Sequence, residues 1–249
     1  LHEGHLKLIE KAKECSDVVV VSVFVNPTQF AENEDFEAYP KSLSEDKALL
    51  EAAKVDAMFI PLDIEIYPDG ISNDYDVGEM GKILCGISRP IHFNGVAQVV
   101  ARLFDIVKPD YAVFGEKDYQ QFLIIKSLVE RQDITTTVVS VPTAREPDGL
   151  ATSTRNSYLR PEDRAKAPLF YQQLVDTKAA IQSGADISSA TEQAADALSA
   201  VFDVEYVEAL NANNLTQITT SSSEIIIISA VRLGETRLID NIVFRRPDV

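Results

Sequence analysis

The sequence predicts an α/β fold: a doubly wound parallel sheet followed by a smaller α+β domain carrying an antiparallel sheet. Two features of the pattern carry this expectation. Up to residue 141, β-branched apolar runs alternate with stretches of amphipathic helical spacing, the mark of strand–helix–strand crossovers. From about Pro142 the alternation stops, and two helical stretches are followed by three strand-like ones. With 249 residues, 45% of them hydrophobic, the chain can bury a full core as one large or two modest domains. The change of pattern divides it at 1–142 and 143–249.

Taken in order, residues 6–15 have the spacing of an amphipathic helix, and 17–25 (DVVVVSVFV) read as a parallel strand buried on both faces. A helix is expected over 43–53, a strand over 55–60, and a helix over 93–107 that Pro109 ends. Residues 111–114 form the next strand, 118–131 a helix and 136–141 a strand. Ligands of such a sheet sit at the carboxyl ends of its strands. In the second part, helices are expected over 161–183 and 188–201, separated by Gly184, then strands over 204–210, 224–231 and 236–242.

Charge and cysteine content narrow the function. Lys and Arg number 23 against 39 Asp and Glu, a net charge of −16, which argues against a general nucleic-acid surface and against attraction to anionic membranes. An anionic substrate must therefore meet a local cationic pocket. The acidic stretch 32–46 reads as a solvated face. Cys15 and Cys85 lack the number for a disulfide framework and the spacing of metal ligands, which fits a reducing cytoplasm. No run approaches the length of a membrane span, and no cationic segment precedes an apolar one.

Five segments fall where chemistry is expected. Leu1-His2-Glu3-Gly4-His5 sets two imidazoles three residues apart at a helix start, where unpaired N–H groups and the positive helix end attract phosphate and Gly4 permits close approach. Surface or capping histidines are the plainer alternative. Asn26 and Gln29 follow the strand at 17–25, with amides able to orient a polar substrate. Gly115-Glu116-Lys117-Asp118 opens a helix bearing Gln120 and Gln121; it is either an anion site with Lys117 as a point charge or a capped turn. Thr152, Ser153 and Thr154 before Arg155, after the turn at 145–149, suit a phosphate clamp at a domain junction or a polar linker. In the segment 89–96, His92 can cap the following helix, and Arg89 can pair with acidic surface or with substrate.

In this order, LHEGH, FVNPTQF, NEDFEAYP, YPDG, RPIHFNGV, FGEKDYQQ, VPTAREPDGLATSTRN and RLGETRLIDN make the chain resemble the pantothenate synthetase (pantoate–β-alanine ligase) family from residue 1 to about Phe244. The resemblance implies a Rossmann-like domain of the nucleotidyltransferase type with a C-terminal lid. It further implies an ATP-dependent ligase of coenzyme A biosynthesis, a cytoplasmic homodimer requiring Mg²⁺, which makes pantothenate through pantoyl adenylate with release of AMP and pyrophosphate. By the same likeness His5 is the catalytic proton donor and His2 its partner, with Lys117 and Arg155 sharing the phosphate charge. ATP contacts are implied at Leu1, His2, Glu3, Gly4 and His5, at Gly115, Glu116, Lys117 and Asp118, and at Ala144, Thr152, Ser153, Thr154 and Arg155. Pantoate and β-alanine fall to Gln29 and Gln121, with Asn26 and Arg89; the metal ligands are left unassigned.

The sequence departs from the family pattern in three places. Family members carry a first strand and a Pro-Thr-Met-Gly turn ahead of the histidines, which these residues do not include. Ile91 replaces the usual glycine, an exchange expected to shift its loop, and Thr152 and Thr154 stand where Met or Leu and Ser are common. Two other functions share the histidine motif. A nucleotidyltransferase stopping at a nucleotide-linked product would differ at the acceptor, where Gln29 and Gln121 favour the ligase, and a non-catalytic nucleotide-binding module is the other.

Overall fold

A computed structural model describes residues 1–30, 42–71 and 75–246. The motif NEDFEAYP, and with it the acidic stretch up to residue 41, lies outside them. The chain divides into two compact units, one of Leu1–Glu116 and Gln120–Pro142, the other of Lys117–Tyr119 and Thr143–Val249.

The first unit is built from α1 (Glu3–Cys15), β1 (Val20–Ser22), α2 (Leu43–Ala52), β2 (Ala57–Phe59), the single turns α3 (Asp63–Ile66) and α4 (Cys85–Ser88), α5 (His92–Val107), β3 (Tyr111–Gly115), α6 (Tyr119–Arg131) and β4 (Thr137–Val141). Its strands form two parallel pairs, β1 with β2 and β3 with β4, in register at Val20 opposite Ala57 and Tyr111 opposite Thr137. The apolar stripe of α5, Val96, Val99, Val100 and Phe104, meets Ile125 of α6, with Ala112, Phe114 and Val138 of β3 and β4 packed against it. Helix α1 packs against β3, the strand that ends at Gly115.

Two sequence expectations need correction here. The run 17–25 pairs over only three residues and is not buried on both faces: Val18 is 65% and Val20 39% exposed. Burial of a parallel strand depends on the helices that cover its two faces, which an apolar run does not itself report. The long helix expected over 161–183 is two helices, α7 (Pro161–Arg164) and α8 (Pro168–Gln182). Pro168 has no N–H to continue the first helix, and its fixed φ suits the first turn of the second.

The second unit adds α9 (Ile187–Ser199) and the antiparallel sheet β5 (Asp203–Asn211), β6 (Glu224–Leu233) and β7 (Thr236–Arg245), in that spatial order. Gly184, at φ 96°, makes the left-handed turn between α8 and α9. Phe170, Leu174 and Ile181 of α8 and Ala190, Ala194 and Leu198 of α9 cover Val207, Ile225, Ile227, Val231, Leu238 and Phe244 of the sheet. The central strand β6 is buried on its other face too, at Ile226 and Ile228. Each such side chain contributes about 1.5–3 kcal/mol on burial.

Candidate functional site

The first two histidines cap α1 on each other. His2 is the N-cap, and its Nδ1 accepts from the Gly4 N–H at 3.1 Å, while the His2 N–H donates to Nδ1 of His5 at 3.1 Å. The rings lie 4.0 Å apart at 41°. This is a capping box with imidazoles in place of the usual hydroxyl and carboxylate. A neutral imidazole has one donor and one acceptor nitrogen, so accepting at Nδ1 places the proton of both rings on Nε2. The expectation of unpaired backbone N–H groups at this helix end is corrected: Gly4 donates to His2, and the His5 N–H donates to the His2 carbonyl at 2.8 Å. Those two amides are therefore not open to an anion.

The 3₁₀ turn Pro27–Gln29 follows β1, and Asn26 builds it. Buried to 3% exposure, Asn26 accepts at Oδ1 from the Thr28 N–H (3.2 Å), the Thr28 hydroxyl (2.9 Å) and the Tyr67 hydroxyl. Its Nδ2 donates to the Gly95 carbonyl (3.2 Å) and to Oε1 of Gln29 (3.4 Å). The Asn26 amide is therefore spent inside the protein, setting the Gln29 side chain. Burial pushes the Tyr67 phenol above its ordinary value, against the pull of Thr28, so it remains a neutral donor.

Gln29 is held from its backbone as well. Its carbonyl accepts from Nη2 of Arg89 (3.0 Å) and faces Nδ1 of His92 (2.8 Å); a carbonyl only accepts, so His92 carries its proton on Nδ1, the opposite tautomer from His2 and His5. His92 does not cap α5, as the sequence allowed; the N-cap is Ile91, with no side-chain bond. Nor does Ile91 need glycine's freedom, since its φ is −96°. Gly95 is the glycine this region requires. A Cβ there would stand 2.5 Å from Oγ1 and 2.6 Å from O of Thr28. Gly95→Ala is expected to cost about 1–3 kcal/mol by pushing the turn away, read as a lowered melting temperature; an unchanged melting point would show that the turn yields freely.

At the start of α6 two adjacent glutamines have different fates. Gln120, 3% exposed, accepts from the Cys85 N–H (3.2 Å) and donates to the carbonyls of Met80 (2.7 Å) and Ile83 (2.8 Å), stapling the loop before α4. Gln121 is half-buried and its amide bonds to no other described residue. Glu116 accepts from the Ser140 hydroxyl at 2.7 Å, which ties the end of β3 to β4. At Gly115 a Cβ would meet nothing closer than Leu8 Cδ2 at 3.9 Å, so packing within the protein does not demand glycine there.

In the second unit, Lys117 presents its Nζ 3.9 Å from Asp118, with 21% of its side chain exposed. The segment 144–156 is tightly bonded. Arg145 pairs with Asp240 through two bonds of 2.7 and 2.8 Å, donates to the Gly149 carbonyl (3.1 Å), and stacks 3.4 Å from the Tyr171 ring centroid. Thr152 N–H donates to the carbonyl of the buried Ala144 at 2.8 Å. Ser153 Oγ accepts from the Arg155 N–H at 3.3 Å and so caps the 3₁₀ turn Thr154–Tyr158. Oγ1 of Thr152 is buried without a partner. Of the three successive hydroxyls, one is thus committed to the turn that carries Arg155.

The structure thus groups His2 with His5, and Asn26 and Gln29 with Arg89, in the first unit, together with Gly115, Glu116 and Gln121; Lys117, Asp118, Ala144 and 152–155 belong to the second. Leu1 and Glu3 are exposed at the same helix start. Sequence reasoning assigned no role to Tyr67, Gln120, Asp240 or Asn241, although YPDG, FGEKDYQQ and RLGETRLIDN held them. The signal available was an aspartate at an inward position of an apolar strand, which requires a buried cationic partner.

Comparison with known proteins gives the family. The sequence model of the family described as Pantoate-beta-alanine ligase matches residues 1–243. A pantothenate synthetase of Ruthia magnifica is 48% identical over 246 residues, covering 99% of this chain and 88% of that protein. The crystal structure of pantothenate synthetase from Thermus thermophilus superposes with a TM-score of 0.92 at 43% identity, covering 97% of this chain and 89% of that one. A Francisella tularensis pantoate–β-alanine ligase, solved in complex with beta-gamma ATP and beta-alanine, gives a TM-score of 0.79 at 36% identity, covering 100% of this chain and 87% of that one. The chain belongs to the pantoate–β-alanine ligase family.

Proposed function

We propose that this chain condenses pantoate with β-alanine at the expense of ATP, through pantoyl adenylate, in the making of pantothenate for coenzyme A. The observation that carries the reading is the mutual histidine cap, which fixes both rings as Nε2–H donors at a helix start. A pantoate carboxylate oxygen attacks the α-phosphorus and pyrophosphate leaves. The β-alanine amine then attacks the acyl carbon, AMP leaves with the carboxylate oxygen, and the amine loses its proton. His5, seconded by His2, stabilises the charge that grows on the phosphate, and Lys117 and Arg155 share it; catalysis is placement plus charge stabilisation. Gly115 and the residues Leu1, Glu3, Gly4, Glu116, Asp118, Ala144, Thr152, Ser153 and Thr154 complete the nucleotide contacts in this proposal. Gln29 and Gln121 orient pantoate, while Asn26 and Arg89 act through Gln29.

Magnesium is proposed to arrive with ATP, held by phosphate oxygens and water as this ion prefers. The described residues contain no group of three His, Cys, Asp or Glu side chains able to hold an ion, and no step is routed through one. Family likeness supports a homodimer, the C-terminal unit as a lid and a cytoplasmic setting; no described helix is long and apolar enough to cross a membrane. The test is product analysis: the purified protein with ATP, pantoate and β-alanine yields pantothenate, AMP and pyrophosphate in equal amounts. Gln121→Ala is expected to raise KM for pantoate about 10-fold or more with the melting temperature unchanged. Gln120→Ala should do the reverse, lowering the melting temperature through the lost staple. A Gln121→Ala enzyme with normal KM would remove this residue from the pantoate site.

A further inference from the structure

The motif at 238–241 contributes nothing to substrate contact in the account above, yet two proposed phosphate-handling elements hang on two adjacent residues of β7. Side chains alternate along a strand. Asp240 lies on the face of Leu238 and Phe244, where it is 1% exposed and takes the Arg145 guanidinium, the anchor of the segment 144–155. Asn241 turns to the other face, 6% exposed, and donates from Nδ2 to the carbonyl of Lys117 at 3.2 Å.

Asn241 has little latitude. Its N–H donates to Oδ1 of Asp240 at 2.7 Å, and its carbonyl accepts from Nη2 of Arg145 at 3.3 Å, so the charge pair brackets the peptide on both sides. The residues 117–119 cohere with this unit although their flanking residues on both sides belong to the other. We infer that Asn241 is a positioning residue for Lys117: through one hydrogen bond to the Lys117 carbonyl it fixes where the ammonium stands, and the Arg145–Asp240 pair fixes Asn241. The inference rests on the proposed role of Lys117 at the phosphates. A bond to the backbone suits this task, because it orients the residue while leaving all three ammonium protons for the ligand.

A double-mutant cycle tests it, with kcat and the KM values for ATP and pantoate measured alongside melting temperature. Asn241→Ala is expected to lower kcat/KM for ATP about 10-fold, within the coupling seen for contacting residues, with KM for pantoate unchanged. In a Lys117→Ala background the same substitution should have no further effect, since no ammonium remains to be placed. Asn241→Asp, nearly identical in size but presenting oxygen to the carbonyl, should be at least as impaired as Asn241→Ala. Equal losses in both backgrounds would show a general structural role and overturn the inference. So would failure of both Asn241 variants to fold, or an Asn241→Asp enzyme with wild-type kinetics. A Lys117→Ala enzyme of normal activity would instead refute the proposed role of Lys117, an outcome the cycle separates from additivity.

Discussion

Lys117→Ala lowers turnover by about 10²-fold or more in a protein that remains folded. The chain carries a net charge of −16, so ATP must find its neutralising charge locally. Lys117 is the proposed source of that charge: its side chain is 21% exposed, it meets only Asp118 at 3.9 Å as an ion-pair partner among the described residues, and its carbonyl is held by Asn241. A pair at 3.9 Å with its carboxylate half-exposed is worth about 0–1 kcal/mol, so its loss should change stability little. Turnover measured beside a thermal melt separates the two effects. Near-normal turnover would exclude Lys117 from the phosphate site.

Arg145→Ala destabilises the protein by about 3–5 kcal/mol, the cost typical of leaving one partner of a buried charge pair alone. Burial pushes the Asp240 carboxyl above its ordinary value, while the Arg145 guanidinium and the Asn241 N–H pull it down. Removing Arg145 leaves burial opposed only by the Asn241 N–H and the charge of Lys117, and also removes the stack on Tyr171 and the bond to Gly149. Denaturant unfolding gives the number directly. The double variant Arg145→Ala with Asp240→Ala should recover part of the loss, because no buried charge is then stranded. A cost below about 1 kcal/mol for Arg145→Ala alone would show that the pair is not an anchor.

How much of this was legible beforehand depended on the range of the cause. The helices α1, α2, α5 and α6 and the strands β3 and β4 follow from local periodicity, and the antiparallel sheet from three strand-like runs in succession after two helices, so their existence was readable with small errors at the ends. Burial of the run 17–25 was not, because burial is set by what packs beside a strand, and local composition does not report that. The single turns α3 and α4 are held by distant partners, α4 by Gln120 from 35 residues away, and leave no periodic trace. Within the candidate site the histidines, Gln29, Gln121 and Lys117 were visible as motifs. The difference between Gln120 and Gln121, the spending of the Asn26 amide and the Arg145–Asp240 pair, 95 residues apart in the chain, were not, since each is a three-dimensional hydrogen-bonding fact.

The central claim is that pantoate is activated as an adenylate before β-alanine takes part. Isotope exchange between labelled pyrophosphate and ATP, run with Mg²⁺ and pantoate and without β-alanine, measures this directly, because a reversible first step with a retained intermediate returns the label to ATP. The expected result is exchange that requires pantoate, falls sharply in Gln121→Ala and Lys117→Ala, and gives way to pantothenate and AMP when β-alanine is added. Exchange that proceeds without pantoate, or exchange with no amide formed on adding β-alanine, would point to a nucleotidyltransferase. No exchange under any condition, in protein that forms no pantothenate, would contradict the account and leave a nucleotide-binding module.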